Sequence, residues 1–231
     1  MNRPLPWICL VTDRRGLSPD ARTTRDELLA VEAQVADAMA AGVDLVQIRE
    51  PDLEAETLAA LTKRLVDRAA DGSTRIIVND RADAARAAGA AGVHLRADGP
   101  PAARVRPLGP SGWTVGRSIH TPEDARLAND TDYVIFGTVF RSRSKPAGAP
   151  IAGVEGLRAA VIVSAVPVLA IGGITPAGTV ACRDAGAAGV AAIGAFFTPG
   201  LRPDALGPAE AVLAFRRAWD TSPDAKVTRS S

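Results

Sequence analysis

The chain has 231 residues, 47% of them hydrophobic, and a formal net charge of +1. That supplies a sizeable core at a length that barrels of alternating strands and helices use as one domain, while a charge so near zero excludes any general attraction to nucleic acid or to an anionic membrane. No apolar run reaches spanning length and the one near the N-terminus is too short for a signal peptide, so a cytoplasmic location is expected. Cys9 and Cys182 lie too far apart for a metal-ligand spacing or a disulfide framework, and read as buried, reduced thiols.

In chain order, β-rich runs fall at 7–12 (WICLVT), 44–49 (DLVQIR), 75–80 (RIIVND), 92–96 (GVHLR), 114–118 (TVGRS), 133–140 (YVIFGTVF), 167–173 (PVLAIGG) and 189–197 (GVAAIGAFF). Ala-rich segments of helical composition lie between or after them, at 26–41, 54–70, 81–89, 122–129, 154–163, 176–186 and 207–219. The Pro- and Gly-rich stretch 97–113 leaves room only for a short helix. Eight strands alternating with helices predict an α/β fold, a closed (β/α)8 TIM barrel over residues 1–219, with a polar, frayed tail at 220–231. A weak repeat, AAGVDLVQIR, AGAAGVHLRAD and AGAAGVAAIGAFF, places Gly42, Gly92 and Gly189 where a left-handed chain reversal is expected.

In such a barrel the loops after the strands form one mouth, and polar residues collect there. Strand two ends in Gln47 and Arg49, and strand three in Asn79 and Asp80. Strand four carries His94 and is followed by Asp98, while strand five ends in Ser118 with His120 just beyond. Strand six runs into RSRSKP, where Ser142, Ser144 and Lys145 offer two hydroxyls and a cation that can wrap an anion. A solvated basic loop is the competing reading. IGGITP, with Gly172 and Gly173, is a second anion cradle or simply a tight turn, and strand eight leads to Ile193 and Gly194. Asp80 and Asp98 could share a magnesium ion, although Asp80 also suits a helix N-cap. His94 reads as a satisfied barrel-interior residue. Thr121 with Asp124 suits an N-cap beside His120. Two cradles and a metal site in one mouth suggest two phosphorylated groups, with Arg49 as a third cationic contact.

The order of VQIRE, VNDR, GVHL, GRSIHT, DYVIFGTVFRSRSKP, PVLAIGGITP and AGAAGVAAIGAFF resembles the thiamine phosphate synthase and thiazole tautomerase superfamily, from about Trp7 to Phe197. The resemblance implies a transferase that joins hydroxymethylpyrimidine diphosphate to thiazole phosphate, releasing pyrophosphate with magnesium bound. It implies that Gln47 and Arg49 contact the pyrimidine and diphosphate, and that Asn79 contacts the diphosphate. Asp80 and Asp98 would ligate magnesium, and Ser118 would join the diphosphate–magnesium assembly. Ser142 and Ser144 stand for the usual two threonines on the thiazole phosphate, Lys145 for the lysine on the diphosphate, and Gly173, Ile193 and Gly194 for backbone contacts to the thiazole phosphate. Arg49, Ser118 and Lys145 are the implied catalytic groups. Three positions depart from the pattern: Pro51 replaces a lysine, Gly99 stands where the second metal aspartate aligns, and Thr138 stands where the tautomerase has its histidine. Alternatives are a tautomerase-like isomerase and a barrel that binds thiazole or thiamine phosphate without turnover. The partners implied are phosphorylated small molecules, without nucleic acid or membrane, and a homo-oligomer is left open.

Overall fold

The computed structural model describes residues 5–70, 72–141, 148 and 150–221. Eight parallel strands close into a barrel in chain order: β1 (Trp7–Val11), β2 (Leu45–Ile48), β3 (Arg75–Asn79), β4 (Gly92–Leu95), β5 (Thr114–Ile119), β6 (Tyr133–Gly137), β7 (Val168–Ile171) and β8 (Gly189–Ala192), which pairs back onto β1. The helices are α1 (Arg14–Leu17), α2 (Thr24–Ala40), α3 (Ala55–Ala69), α4 (Ala82–Ala87), α5 (Ala102–Val105), α6 (Pro122–Leu127), α7 (Gly153–Val163), α8 (Pro176–Asp184) and α9 (Pro208–Asp220). The (β/α)8 expectation is met. The short α1 was not expected, and the last strand stops at Ala192, five residues early, where the chain turns into a 3-10 helix at Gly194–Phe196. The expected tail beyond Thr221 and the loop residues Ser142, Ser144 and Lys145 lie outside the described residues.

The apolar strand runs follow from burial on both faces. Along β1, Trp7, Cys9 and Val11 point into the barrel with Leu45, Ile77, Tyr133 and Leu169, while Ile8 and Leu10 pack outward against the helices. The helices bury one stripe each. Leu58, Leu61, Thr62 and Leu65 of α3 recur at three- and four-residue spacing, as do Ala211, Val212, Phe215 and Trp219 of α9. Thr121 and Asp124 form a reciprocal capping box at α6, as their spacing predicts. At the lower end, Asp44 accepts from the Ile8 N–H at 2.9 Å and from Arg216 at 3.0 Å, tying α9 to the first two strands. Cys9 and Cys182 are buried thiols, as expected, and desolvation pushes both up to about 12, which leaves them inert.

Two of the three repeat glycines have a different role from the one expected. Gly42 does take a left-handed φ of 85°, but Gly92 and Gly189 begin their strands, and the reversals before them fall at Gly89 (φ 69°) and Gly186 (φ 90°). A Cβ on Gly92 would stand 2.0 Å from the Thr114 carbonyl oxygen, and one on Gly189 2.0 Å from that of Trp7. Both are glycine because a neighbouring strand's backbone passes there. Gly92→Ala should therefore cost about 3 kcal/mol or more in a urea titration, whereas Gly72→Ala, with ordinary contact distances, should stay within about 0.5 kcal/mol. Equal stabilities for the two variants would refute the close-approach account.

Candidate active site

A cavity of about 650 Å3 opens at the C-terminal ends of the strands. Gln47, Arg49, Asn79, Ser118, Gly173, Ile193 and Gly194 all line it, so the structure brings together every expected site residue except the aspartates and the residues outside the described ones. They come from the ends of β2, β3, β5, β7 and β8, which parallel closure alone makes neighbours.

Among the described residues Arg49 forms no ion pair, and its backbone N–H donates to the Thr12 hydroxyl at 3.0 Å. The nearby acids belong to Arg14, which is buried at the start of α1. Its guanidinium meets both oxygens of Asp52 at 2.6 and 2.7 Å, Glu27 at 2.7 Å and Glu50 at 3.2 Å. Hydrogen bonds from Arg14 hold Asp52 down at about 2, while burial raises Glu50 despite its bonds to Thr12 and Arg14. Pro51, between these two acids, is exposed and does not line the cavity.

Deeper in, the Gln47 amide donates to Asn79 Oδ1 at 2.8 Å. Its carbonyl oxygen is buried in the cavity wall and, among the described residues, has no hydrogen-bond partner. His94 lies within the barrel, as expected, with Nδ1 3.1 Å from the Tyr133 hydroxyl and Nε2 2.9 Å from Ser118 Oγ. In the tautomer protonated at Nε2, Tyr133 donates to Nδ1 and Nε2–H donates to Ser118, leaving the serine proton free to face a ligand. Burial, and then the Arg117 guanidinium, hold the His94 ring down at about 3, so it is neutral.

Asp80 and Asp98 stand at the rim, outside the cavity lining. Both reach the same atom, Arg96 Nε, at 3.0 and 3.2 Å, and the Arg96 backbone N–H lies 3.4 Å from Asp80. Asp80 is not the cap of α4, which begins after Arg81; it takes a φ of 62°, left-handed backbone that aspartate tolerates better than most residues. Arg117 braces the loop behind it by donating to the carbonyls of Arg96, Ala97, Gly99 and Pro100. Among the described residues no group of three or more His, Cys, Asp or Glu side chains is set for a metal.

On the β7–β8 side, Gly172 (φ 101°) and Gly173 (φ 59°) turn tightly enough that a Cβ on Gly173 would meet the Arg141 carbonyl oxygen at 2.4 Å. The N–H groups of Gly173, Ile174, Gly194 and Ala195 find no backbone acceptor among the described residues. Five further lining residues, Asp13, Thr138, Arg141, Arg202 and Asp204, carry no binding role predicted from the sequence. Their only signal is position: each follows a strand and so faces the common mouth. His120 also lines it, with Nδ1 2.6 Å from the Gly137 carbonyl.

The buried histidine gives a pH prediction. Its folded pKa of about 3 lies below the unfolded value of about 6.5, so below pH 6.5 the unfolded chain binds a proton that the folded one refuses. Stability therefore falls as pH drops, by about 2 kcal/mol between pH 7 and pH 5 from this residue. Asp52 contributes below pH 3.8 and leaves that window clear, while the raised Glu50 acts in the opposite sense. In urea titrations His94→Gln should lose that component of the pH slope; an unchanged slope would show that the ring is not held neutral.

The family model described as thiamine monophosphate synthase matches residues 19–196. A putative thiamine-phosphate synthase of Geobacter sulfurreducens is 41% identical over 212 residues, covering 90% of this chain and 92% of the relative. A thiamine-phosphate synthase of a Roseiflexus species is 36% identical over 200 residues, 83% and 81% of the two chains. Among solved structures, the thiamine phosphate pyrophosphorylase of Pyrococcus furiosus superposes with a TM-score of 0.75 at 26% identity, over 92% of this chain and 95% of that one. With the barrel, the mouth and these likenesses in agreement, the chain belongs to the thiamine monophosphate synthase family.

Proposed function

We propose that this protein is a cytoplasmic, magnesium-dependent thiamine-phosphate synthase, joining hydroxymethylpyrimidine diphosphate to thiazole phosphate. The observation that carries this reading is a buried Gln47 carbonyl oxygen and a cavity-lining Arg49 that both lack a side-chain partner among the described residues. An aminopyrimidine bearing a diphosphate supplies both missing partners, an N–H donor and an anion.

In the reaction the bond between the pyrimidine methylene carbon and the diphosphate oxygen breaks, and its electron pair leaves with pyrophosphate. The thiazole nitrogen lone pair then forms the new C–N bond. The protein's task is to hold two anions in line and stabilise the departing charge. Gln47 orients the pyrimidine through its amino group. Arg49, Asn79 and the free Ser118 proton take the diphosphate, helped by Lys145. The N–H groups of Gly173, Ile193, Gly194 and Ala195, with Ser142 and Ser144, take the thiazole phosphate. The resemblance matches Asp80 to the metal and sets Asp98 next to the position of the second aspartate, and these two carboxylates fit one cation because they already converge on the Arg96 guanidinium. Bound there, magnesium would neutralise diphosphate charge. A tautomerase reading is less favoured, since Thr138 occupies the histidine position and the Nδ1 of His120, the alternative proton shuttle, is held by the Gly137 carbonyl.

Purified protein incubated with both phosphorylated substrates and magnesium should form thiamine phosphate; none above an enzyme-free control would sink the proposal. Arg49→Ala should lower kcat/KM roughly 100- to 1,000-fold, while Pro51→Lys, on an exposed turn outside the cavity, should change it less than about threefold. For the metal, Arg96→Ala should tighten Mn2+ binding, followed by electron paramagnetic resonance, roughly three- to tenfold by freeing both carboxylates. Unchanged affinity would place the ion elsewhere.

A further inference from the structure

The turn after β8 holds two charges to which neither the reaction nor the family pattern gives a role. Arg202 lines the cavity with its guanidinium 4.8 Å from the Phe197 ring centroid. That stacking fixes the cation without consuming its hydrogen-bond donors. Its Cδ lies 3.5 Å, and its Nη1 3.7 Å, from where a Cβ on Gly194 would stand, and Asp204 Oδ2 lies 3.5 Å from the same point. Among the described residues Arg202 makes no ion pair, and Asp204 Oδ1 is buried without a hydrogen-bond partner. A cation and a carboxylate thus both stand next to Gly194, whose N–H has no backbone acceptor among the described residues.

We propose that Arg202 and Asp204 form a charge-selective clamp for a phosphate monoester on the β7–β8 side of the cavity. Arg202 donates to the phosphate oxygens that the Gly173 and Gly194 N–H groups also hold. Asp204 faces the space beyond that single phosphate and repels a second phosphoryl group. The clamp therefore admits the monophosphate substrate and keeps the diphosphate substrate and free pyrophosphate on the opposite, Arg49 side. This deepens the synthase reading and rests on it for the identity of the monoester.

The test is calorimetry on the full chain with thiazole phosphate, inorganic phosphate and pyrophosphate, alongside steady-state kinetics. Arg202→Ala should raise the Kd for thiazole phosphate roughly 10- to 100-fold while moving the KM for the pyrimidine diphosphate less than about twofold. Arg202→Lys should recover part of the loss, since it restores charge without the planar fork. Asp204→Asn should tighten pyrophosphate at least about fivefold and thiazole phosphate less, making pyrophosphate a stronger competitor of the thiazole substrate. Arg202→Ala binding the monoester like wild type, or Asp204→Asn affecting both ligands equally, would overturn the clamp. If wild type forms product but these variants behave like it, the clamp fails and the synthase reading stands. If wild type binds the monoester with the predicted variant effects yet forms no product, the clamp stands and the synthase reading fails. If wild type binds neither thiazole phosphate nor phosphate at millimolar concentration, both fail.

Discussion

Arg14 gathers the acids that flank the strand-two tip. A strand tip reading Gln-Ile-Arg-Glu-Pro-Asp carries acids on either side of Pro51, next in sequence to the arginine that lines the cavity. Arg14 engages them, meeting Asp52 through two nitrogens and also Glu50 and Glu27. Because the pair is largely withdrawn from solvent at Arg14 and Glu50, it is not screened away as surface pairs are. The short α1 exists to place that guanidinium, with Asp13 capping its first turn through the Gly16 N–H at 3.0 Å. Among the described residues Arg49 thus lines the cavity without an ion pair, while its sequence neighbours Glu50 and Asp52 are held by Arg14.

The cavity carries its charges in order around the rim. Arg49 and Asn79 stand at the tips of β2 and β3, Asp80 and Asp98 meet Arg96 beyond them, and the glycine turns with Arg202 close the β7–β8 side. A reaction that separates a diphosphate from carbon while a second phosphate stays bound needs such a division. The neutral His94, hydrogen-bonded at both nitrogens beneath Ser118, gives the floor a polar but uncharged layer.

The barrel was legible in the sequence because strands buried on both faces must be apolar throughout, and eight such runs alternate with helical segments. Gln47, Arg49, Asn79 and Ser118 were legible because they end those runs. What escaped depends on contacts between distant segments. The Arg14 network joins residues 36 and 38 positions apart, through strands whose pairing only the fold sets. Gly92 and Gly189 look like turn glycines until a neighbouring carbonyl is seen 2.0 Å from the absent Cβ. Arg96 lies two residues from Asp98 in sequence, but its pairing with Asp80 follows from the β3–β4 register that sets Asn79 beside His94. Arg202 and Asp204 sit in a Pro- and Gly-rich turn whose composition says only loop.

The central claim is that the two ends of one cavity hold two different phosphorylated groups, with the Gln47 carbonyl fixing which ring lies where. A crystal structure with thiamine phosphate and pyrophosphate bound tests it most directly. The account predicts the pyrimidine amino group within hydrogen-bond distance of Gln47 Oε1, pyrophosphate on Arg49, and the ester phosphate at Gly173 and Gly194. A product bound in the reverse sense, with its phosphate on Arg49 and Gln47 Oε1 still without a partner, would contradict it.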